Sequence, residues 1–244
     1  MESSSLSSMT TGNPTSPDRD CGLCPRLVTY RESNRSAQPS WHNAPVPSFG
    51  SLDARLLIVG LAPGVTGANA TGRPFTGDYA GDLLYGTLAH FGLSRGTFDR
   101  RPDDGLELVN CRITNAVRCV PPQNKPTGVE ISTCLAFLRD EMDAMANLRV
   151  VLALGAIAHN AVLKCLGLKQ SGYKFAHGAQ HDLPDGLPLL ADSYHCSRYN
   201  TNTGRLTTEM FRSAFAQIID RLDELARVPP ARHGIPGDRA AMEG

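Results

Sequence analysis

The chain has 244 residues, 41% of them hydrophobic, with 24 Lys plus Arg and 24 Asp plus Glu. This is enough apolar material for one sizeable core, and we expect a single globular domain over residues 19–226. The zero formal charge excludes a strongly basic surface, so binding to an anionic partner would require a local patch.

Both ends of the chain are polar. Residues 1–18 lack the basic start and apolar run of a signal peptide, and residues 227–244 carry too few apolar side chains to offset the entropy of ordering. We predict a disordered leader over 1–18 and a disordered tail over 227–244. No segment approaches the ~20 apolar residues of a membrane span. We therefore expect a cytoplasmic protein without a membrane partner, whose cysteines are free thiols or metal ligands rather than disulfides.

The first chemical motif in chain order is the pair Cys21 and Cys24, in the sequence CGLC. Together with Cys119 and Cys134 it would give four thiolates, which could hold either a tetrahedral zinc ion or a 4Fe-4S cluster. Spacing alone does not choose between these groups. An isolated redox pair, with Cys134 buried in the core, is the alternative.

Short apolar stretches then alternate with helical patterns. The predicted strands are 55–61, 108–116, 149–154 and 187–193, and the predicted helices are 80–91, one opening at the Thr127 and Glu130 capping box, 156–166, and a closing amphipathic helix that includes 210–222. This alternation predicts a parallel sheet with helices on both faces.

The residues that follow the predicted strands are unusual. Ligands bind at the carboxyl ends of strands in such sheets, and three of the four ends carry Gly, Pro, Asn, Asp or His in place of ordinary connectors. These segments are GLAPGVTGANATGRPFTGD, TNAVRCVPPQNKPT and DSYHCSRYNTNTGRLT. They predict a functional site at this edge.

Together with the four cysteines, the motifs GLAPG, TGRPFTGD, TNAVRCVPPQNKPT and YHCSRYNTNTGRLT resemble those of the iron-sulfur uracil-DNA glycosylases, most of all their fifth, B-type branch. The similarity spans residues 21–206. It implies an α/β/α sandwich around a four-stranded parallel sheet, in agreement with the alternation of elements. It also implies a 4Fe-4S cluster held by Cys21, Cys24, Cys119 and Cys134.

The implied activity is base excision repair in a prokaryotic cell, at the nucleoid. A monofunctional N-glycosyl hydrolase of this family flips uracil, and other deaminated bases such as hypoxanthine, out of DNA and hydrolyses the glycosidic bond, leaving an abasic site. The implied partner is double-stranded DNA, and the resemblance does not decide whether single-stranded DNA is also a substrate. We expect the protein to act as a monomer.

Glycosidic cleavage leaves an anionic base and a cationic sugar, so the site must stabilise both charges and supply a water. The resemblance places Phe75 under the flipped base and makes Asn115 the reader of its edge, although the residues alone would also allow a core Phe and an Asn that caps a turn. The substrate pocket would also include the GLAPG turn. Its members are Gly60, Leu61, Ala62, Pro63 and Gly64.

His195 follows the last strand, where it could donate a hydrogen bond to the base oxygen that gains negative charge. The family pattern there is His-Pro-Ser, whereas this chain has His195, Cys196 and Ser197, and the loss of Pro frees the backbone. Asp78 is the best carboxylate to orient the water, because Leu61 stands where the A-type branch has Glu and can activate nothing. A helix N-cap is the alternative role for Asp78.

The polar segment after His195 would enter the minor groove and fill the space left by the flipped base. Its predicted DNA-binding residues are Ser197, Arg198, Tyr199, Asn200 and Arg205. Four further cations could contact phosphates near the strand ends. They are Arg73, Arg112, Arg118 and Lys125.

Two other classes of function are considered. A small-molecule hydrolase on the same sheet is disfavoured, because no nucleophile elbow, phosphate loop or metal triad stands at the strand ends. A catalytically inactive iron-sulfur DNA-binding protein of the same fold is the stronger alternative, since Leu61 and Cys196 depart from the family pattern.

Overall fold

The computed structural model describes residues 16–184 and 186–227. Apart from residues 16–18 and 227, the predicted leader and tail lie outside these ranges. The strands are β1 Leu56–Gly60, β2 Ser94–Arg95, β3 Glu107–Leu108, β4 Cys111–Asn115, β5 Val150–Leu154, β6 Gln180–His181 and β7 Leu189–Ser193. The helices are α1 Pro25–Ala37, α2 Ala68–Thr71, α3 Tyr79–His90, α4 Gly128–Ala144, α5 Ala156–Cys165, α6 Arg198–Asn202 and α7 Thr208–Ala226.

Five strands form the central sheet, in the order β4-β1-β5-β7-β6. β4, β1, β5 and β7 run parallel, which confirms the four predicted strands. β6 is an addition that pairs antiparallel with β7. It has only 2 residues, too few for an alternating pattern to stand out in the sequence.

Helices cover both faces of this sheet. Leu56 and Ile58 of β1 pack in one core cluster with residues of α3 and α7, whereas Leu57 and Val59 pack in another with residues of α4 and α5. All four side chains are fully buried, as expected for parallel strands covered on both sides. The predicted α/β/α sandwich is confirmed.

Local capping fixes where the helices begin. The predicted capping box of α4 is present: Thr127 Oγ1 accepts from the Glu130 amide at 3.2 Å and Glu130 Oε2 accepts from the Thr127 amide at 2.7 Å. In α7 the predicted apolar face is buried through Phe211 and Phe215. None of the helices in the described ranges is long and apolar enough to cross a membrane.

Three arginines near the strand ends are buried instead of facing DNA. Arg73 forms a two-point ion pair with Asp104, both bonds 2.7 Å long. Arg112 and Arg118 pair with the same carboxylate of Glu141, at 2.6 and 2.5 Å. The prediction that these three arginines contact phosphates is wrong, because a guanidinium committed to a buried carboxylate cannot reach solvent.

Candidate active site

A cleft of about 770 Å³ opens at the carboxyl ends of β1, β4 and β7. Most of the predicted site residues line it. They are Leu61, Ala62, Pro63, Gly64, Phe75, Asp78, Asn115, His195, Ser197 and Arg198. The sequence analysis did not single out the other lining residues, which are Thr66, Ala68, Gly77, Tyr79, Ala80 and Asn124.

Gly60 lies at the base of the cleft, where β1 pairs with Asn115 of β4. A Cβ added at Gly60 would stand 2.4 Å from Asn115 Oδ1 and 2.8 Å from Phe75 Cζ. The missing side chain therefore provides the space in which the amide and the ring lie. The Asn115 side chain is 4% exposed and makes no hydrogen bond within the described residues, so its donor and acceptor remain available to a ligand.

Phe75 is held in an uncommon backbone conformation, with φ of +53°. The turn that carries it is fixed by the Tyr85 hydroxyl, which donates to the Pro74 carbonyl at 2.6 Å, and by Arg73 Nε, which donates to Thr76 Oγ1 at 2.8 Å. The Phe75 ring stacks on the His195 imidazole with centroids 5.8 Å apart. A flat apolar surface thus lies directly beside a polar ring.

Asp78 begins helix α3. Its Oδ1 accepts from the Ala80 amide at 3.1 Å, so the N-cap role is observed. The other oxygen, Oδ2, lies against Gly67, where an added Cβ would stand 2.4 Å away. Burial raises the pKa of the Asp78 carboxyl, against hydrogen bonds from Ala80 and Gly81 that lower it. Capping orients the group and leaves a carboxylate in the wall of the cleft.

His195 follows β7, and burial lowers its pKa to about 4. The imidazole is therefore neutral at pH 7, and it makes no hydrogen bond within the described residues. A neutral imidazole carries one N–H donor, which can serve a ligand. Cys196 is fully buried in the core, where burial raises the pKa of its thiol, and it is not available as a nucleophile.

The segment after His195 forms the rim of the cleft. Ser197 caps the short helix α6, and the side-chain amide of Asn200 donates from Nδ2 to the His195 carbonyl oxygen at 2.8 Å. The Arg198 guanidinium lies 5.7 Å from the centre of the Tyr79 ring, and Tyr199 is 72% exposed. Tyr199, Asn200 and Arg205 do not line the cleft. Arg205 lies over the Tyr194 ring at 4.7 Å.

The four predicted ligand cysteines come together away from the cleft. Cys21, Cys24, Cys119 and Cys134 line one small cavity between the start of α1, the segment after β4 and helix α4. Arg31 lines the same cavity, with Nη1 3.9 Å from Cys119 Sγ. Its buried Nε has no hydrogen-bond partner within the part of the chain that the structure describes. Cys111 and Cys165 are fully buried elsewhere.

The spacing of the sulfurs discriminates between bound groups. Four thiolates on one zinc ion, at about 2.3 Å each, would bring the sulfurs to about 3.8 Å of one another. No three of these four sulfurs lie within 4.8 Å of each other. This spacing fits a larger group better than a single zinc ion. The cationic Arg31 offsets the negative charge of the thiolates around either group.

The sequence analysis missed one group of polar residues. His159, His181 and Asp192 meet at the β6 edge of the sheet. They come from α5, β6 and β7 and share no short spacing, so no motif marks them. The only signal was the concentration of His and aromatic residues in YKFAHGAQH, residues 173–181.

Comparison with known proteins gives consistent matches. The sequence profile described as the Uracil DNA glycosylase superfamily matches residues 47–219. A type-5 uracil-DNA glycosylase of Thermus thermophilus is 49% identical over 197 residues, which cover 78% of this chain and 89% of the relative. One from Pyrobaculum aerophilum is 44% identical, covering 78% and 84%, and one from Mycobacterium tuberculosis is 42% identical, covering 81% and 76%.

Proposed function

Because the chain belongs to the uracil-DNA glycosylase superfamily, and within it to the type-5 branch, we propose that it excises uracil from DNA and leaves an abasic site for base excision repair. The observation that carries the proposal is the content of the cleft. An amide with no partner among the described residues, a neutral imidazole and a half-buried carboxylate line the same cleft as one aromatic ring. Each group matches one requirement of glycosidic hydrolysis.

The flipped base binds on Phe75 in this proposal. Asn115 donates to and accepts from the edge of the base, because its side-chain amide has no hydrogen-bond partner among the described residues. His195 donates from a ring nitrogen to the base oxygen on which negative charge accumulates as the bond breaks. Its low pKa supports this role, since the neutral ring donates without needing a second proton.

Asp78 holds the attacking water and offsets the positive charge of the sugar. Burial raises its pKa, whereas hydrogen bonds from the Ala80 and Gly81 amides favour the carboxylate and lower it; we take the ionised form as the active one. A carboxylate at this place acts as hydrogen-bond acceptor for the water and as a nearby anion for the cationic sugar. Leu61 also lines the cleft, and its non-polar side chain presents no donor or acceptor that would select one base, which supports hypoxanthine as a second substrate.

DNA binding is assigned to the rim. Ser197, Arg198 and Tyr199 project from the start of α6, and Tyr199 is exposed enough to enter the space left by the flipped base. Asn200 positions His195 through its carbonyl, and Arg205 and the exposed Lys125 supply positive charge for phosphates. We propose that the protein acts as a monomer on double-stranded DNA. The excision experiment described below also measures activity on single strands.

A 4Fe-4S cluster is the group we assign to Cys21, Cys24, Cys119 and Cys134. The support is the four thiolates around one cavity, the spacing of their sulfurs and the nearby Arg31 cation. The cluster has a structural role in this proposal. It joins the segment before α1 to the segment that follows β4, and Arg26 adds an ion pair to Glu130 of α4 at 2.7 Å.

Substitution of Cys21 by Ser is expected to lower iron content and solubility first, with excision lost as a consequence. Iron per chain and absorption near ~400 nm measure the cluster, and a uracil excision assay measures activity. The Cys165→Ala variant is the control, because Cys165 is buried but does not line the cavity and the variant should keep its iron. A soluble Cys21→Ser protein that lacks iron and retains full activity would contradict the structural role.

Substitution of Gly60 by Ala is expected to slow excision by about 100-fold, since misplacement of a binding group by ~1 Å has an effect of this size. The new methyl group would displace Asn115 and Phe75. Single-turnover rates on uracil-containing duplex measure the loss. Gly86→Ala is the control, because a Cβ at Gly86 of helix α3 meets nothing within 4 Å. Equal rates in both variants would show that the space above Gly60 is not needed.

The decisive experiment incubates the full chain with a duplex that carries one uracil and then cleaves abasic sites with alkali. Parallel substrates contain hypoxanthine or present uracil in a single strand. We expect strand cleavage at the uracil position. Tight binding to the duplex without cleavage would replace the proposal by the inactive DNA-binding protein considered above.

A further inference from the structure

A second cluster of ligand-type side chains lies away from the cysteines. His159 of α5, His181 of β6 and Asp192 of β7 place one nitrogen or oxygen each within 4.8 Å of the others. Their side chains are 1%, 14% and 0% exposed, respectively. The cluster is at the β6 edge of the sheet, whereas the segment that carries Cys119 follows β4 at the opposite edge. The proposed excision chemistry uses none of these three residues.

The hydrogen bonds of His159 leave a place for one proton or one metal ion beside Asp192. Its Nε2 lies 3.0 Å from the Tyr173 carbonyl oxygen, which can only accept, so Nε2 carries a hydrogen. Its Nδ1 then faces Asp192 Oδ1 at 2.7 Å. A neutral imidazole would direct a lone pair at a carboxylate oxygen. Either an extra proton or a metal ion must therefore lie between the two atoms.

The surroundings resemble those of a metal-binding histidine. Ligating imidazoles commonly donate their second N–H to a backbone carbonyl, which fixes the tautomer, and the Tyr173 carbonyl does this for His159. Asp192 offers Oδ1 to His159 and Oδ2 to His181, whose Nε2 is 3.0 Å away. Since His181 is partly exposed, a water could reach the cluster as a further ligand.

We propose that His159, His181 and Asp192 bind one divalent transition-metal ion, with Zn²⁺ as the best match to two imidazoles and one carboxylate. Mg²⁺ and Ca²⁺ prefer all-oxygen sites, and soft ions prefer thiolates. Zinc bonds of about 2.0–2.2 Å would place two ligand atoms about 3.3 Å apart, so the pair now at 2.7 Å would open by a few tenths of an ångström.

The ion would have a structural role. Its ligands join helix α5 and the two-residue strand β6 to β7, the strand that leads into His195. Structural zinc contributes directly to folding free energy. The site would thus fix an edge strand that has few backbone bonds of its own.

The test uses the full chain, stripped of loosely bound metal by chelator and passed through a desalting column. Titration with Zn²⁺, followed by calorimetry, is expected to show one saturable site per chain beyond any zinc held by the four cysteines. His181→Gln should weaken this site by more than the ~10–100-fold that loss of a supporting hydrogen bond costs. Gln can still donate to Asp192, so the variant removes the ligand and retains a hydrogen bond.

Two controls separate the outcomes. His177→Gln alters a nearby histidine that packs on Tyr194 instead of joining the cluster, and it should bind zinc as the unmodified chain does. The Cys21→Ser variant should lose the iron, or any zinc, held by the four cysteines. It should still bind zinc at His159, His181 and Asp192. Equal zinc affinity in the unmodified chain and in His181→Gln, or no saturable binding in either, would overturn the proposal and leave a proton between His159 and Asp192.

Discussion

Replacement of Asp78 by Asn is expected to slow uracil excision by about 10²–10⁴-fold, the usual contribution of a general base, and to leave the fold intact. Asn and Asp are nearly equal as N-caps, so the bond to the Ala80 amide survives. Burial raises the pKa of Asp78, which means that the ionised form is disfavoured in the folded state. The neutral amide should therefore cost no stability at pH 7.

Single-turnover rates and thermal unfolding midpoints of the two proteins check this prediction. Asp82→Asn is the matched control, because Asp82 lies on the same helix but pairs with Arg100 at the surface, 2.7 Å away. It should excise uracil at the normal rate. Unchanged excision by a folded Asp78→Asn protein would reduce Asp78 to a helix cap.

The pH profile gives an independent reading of the same group. A base must be ionised to act, so excision should fall as the pH drops through the raised pKa of Asp78. His195 remains neutral until the pH approaches about 4. In the Asp78→Asn variant, the remaining excision activity should no longer fall over this pH range, because the titrating carboxyl group has been removed.

Replacement of Glu141 by Gln is expected to lower the free energy of unfolding by about 3–5 kcal/mol, the cost of leaving buried charges without their partner. Glu141 is fully buried and pairs with both Arg112 and Arg118. Burial would raise the pKa of Glu141, but these two cations hold it below its usual value. Its stabilising effect is present above the unfolded-state pKa and is lost as the pH falls through the lowered one.

Urea unfolding at pH 7 measures this loss. Glu224→Gln is the control, since Glu224 forms an exposed pair with Arg221 and should change stability by less than about 1 kcal/mol. If both variants lost the same small amount, the buried network would contribute no more than a surface pair.

The place of the site was predictable because parallel topology brings the strand ends to one edge, whereas the roles of Phe75 and Asn115 were implied by the family resemblance. Phe75, Asn115 and His195 are far apart in sequence, yet each follows or lies near the end of a strand, and the cleft contains all three. The four long strands were likewise visible as apolar runs. β6 was not, because pairing along an edge strand of 2 residues depends on a neighbour and not on a local pattern.

The arginine error has a physical cause. Position relative to a strand indicates which edge a residue occupies, but the direction of its side chain depends on what the facing helix offers. Arg112 and Arg118 meet Glu141 of α4, a contact across 29 and 23 residues respectively. The His159, His181 and Asp192 group was missed for the same reason, because its contacts join three separate elements.

The short stretch between Asn115 and Cys119 links the two centres of the protein. The backbone between them is bonded to the turn after β1, with the Val117 amide donating to the Leu61 carbonyl at 2.9 Å, and the Arg118 amide meets Cys134 Sγ at 3.4 Å. An oxidant that destroyed the cluster proposed for Cys119 would loosen the segment that connects it to Asn115. Repair by this protein should then be vulnerable to oxidative stress, even though no step of the excision involves electron transfer.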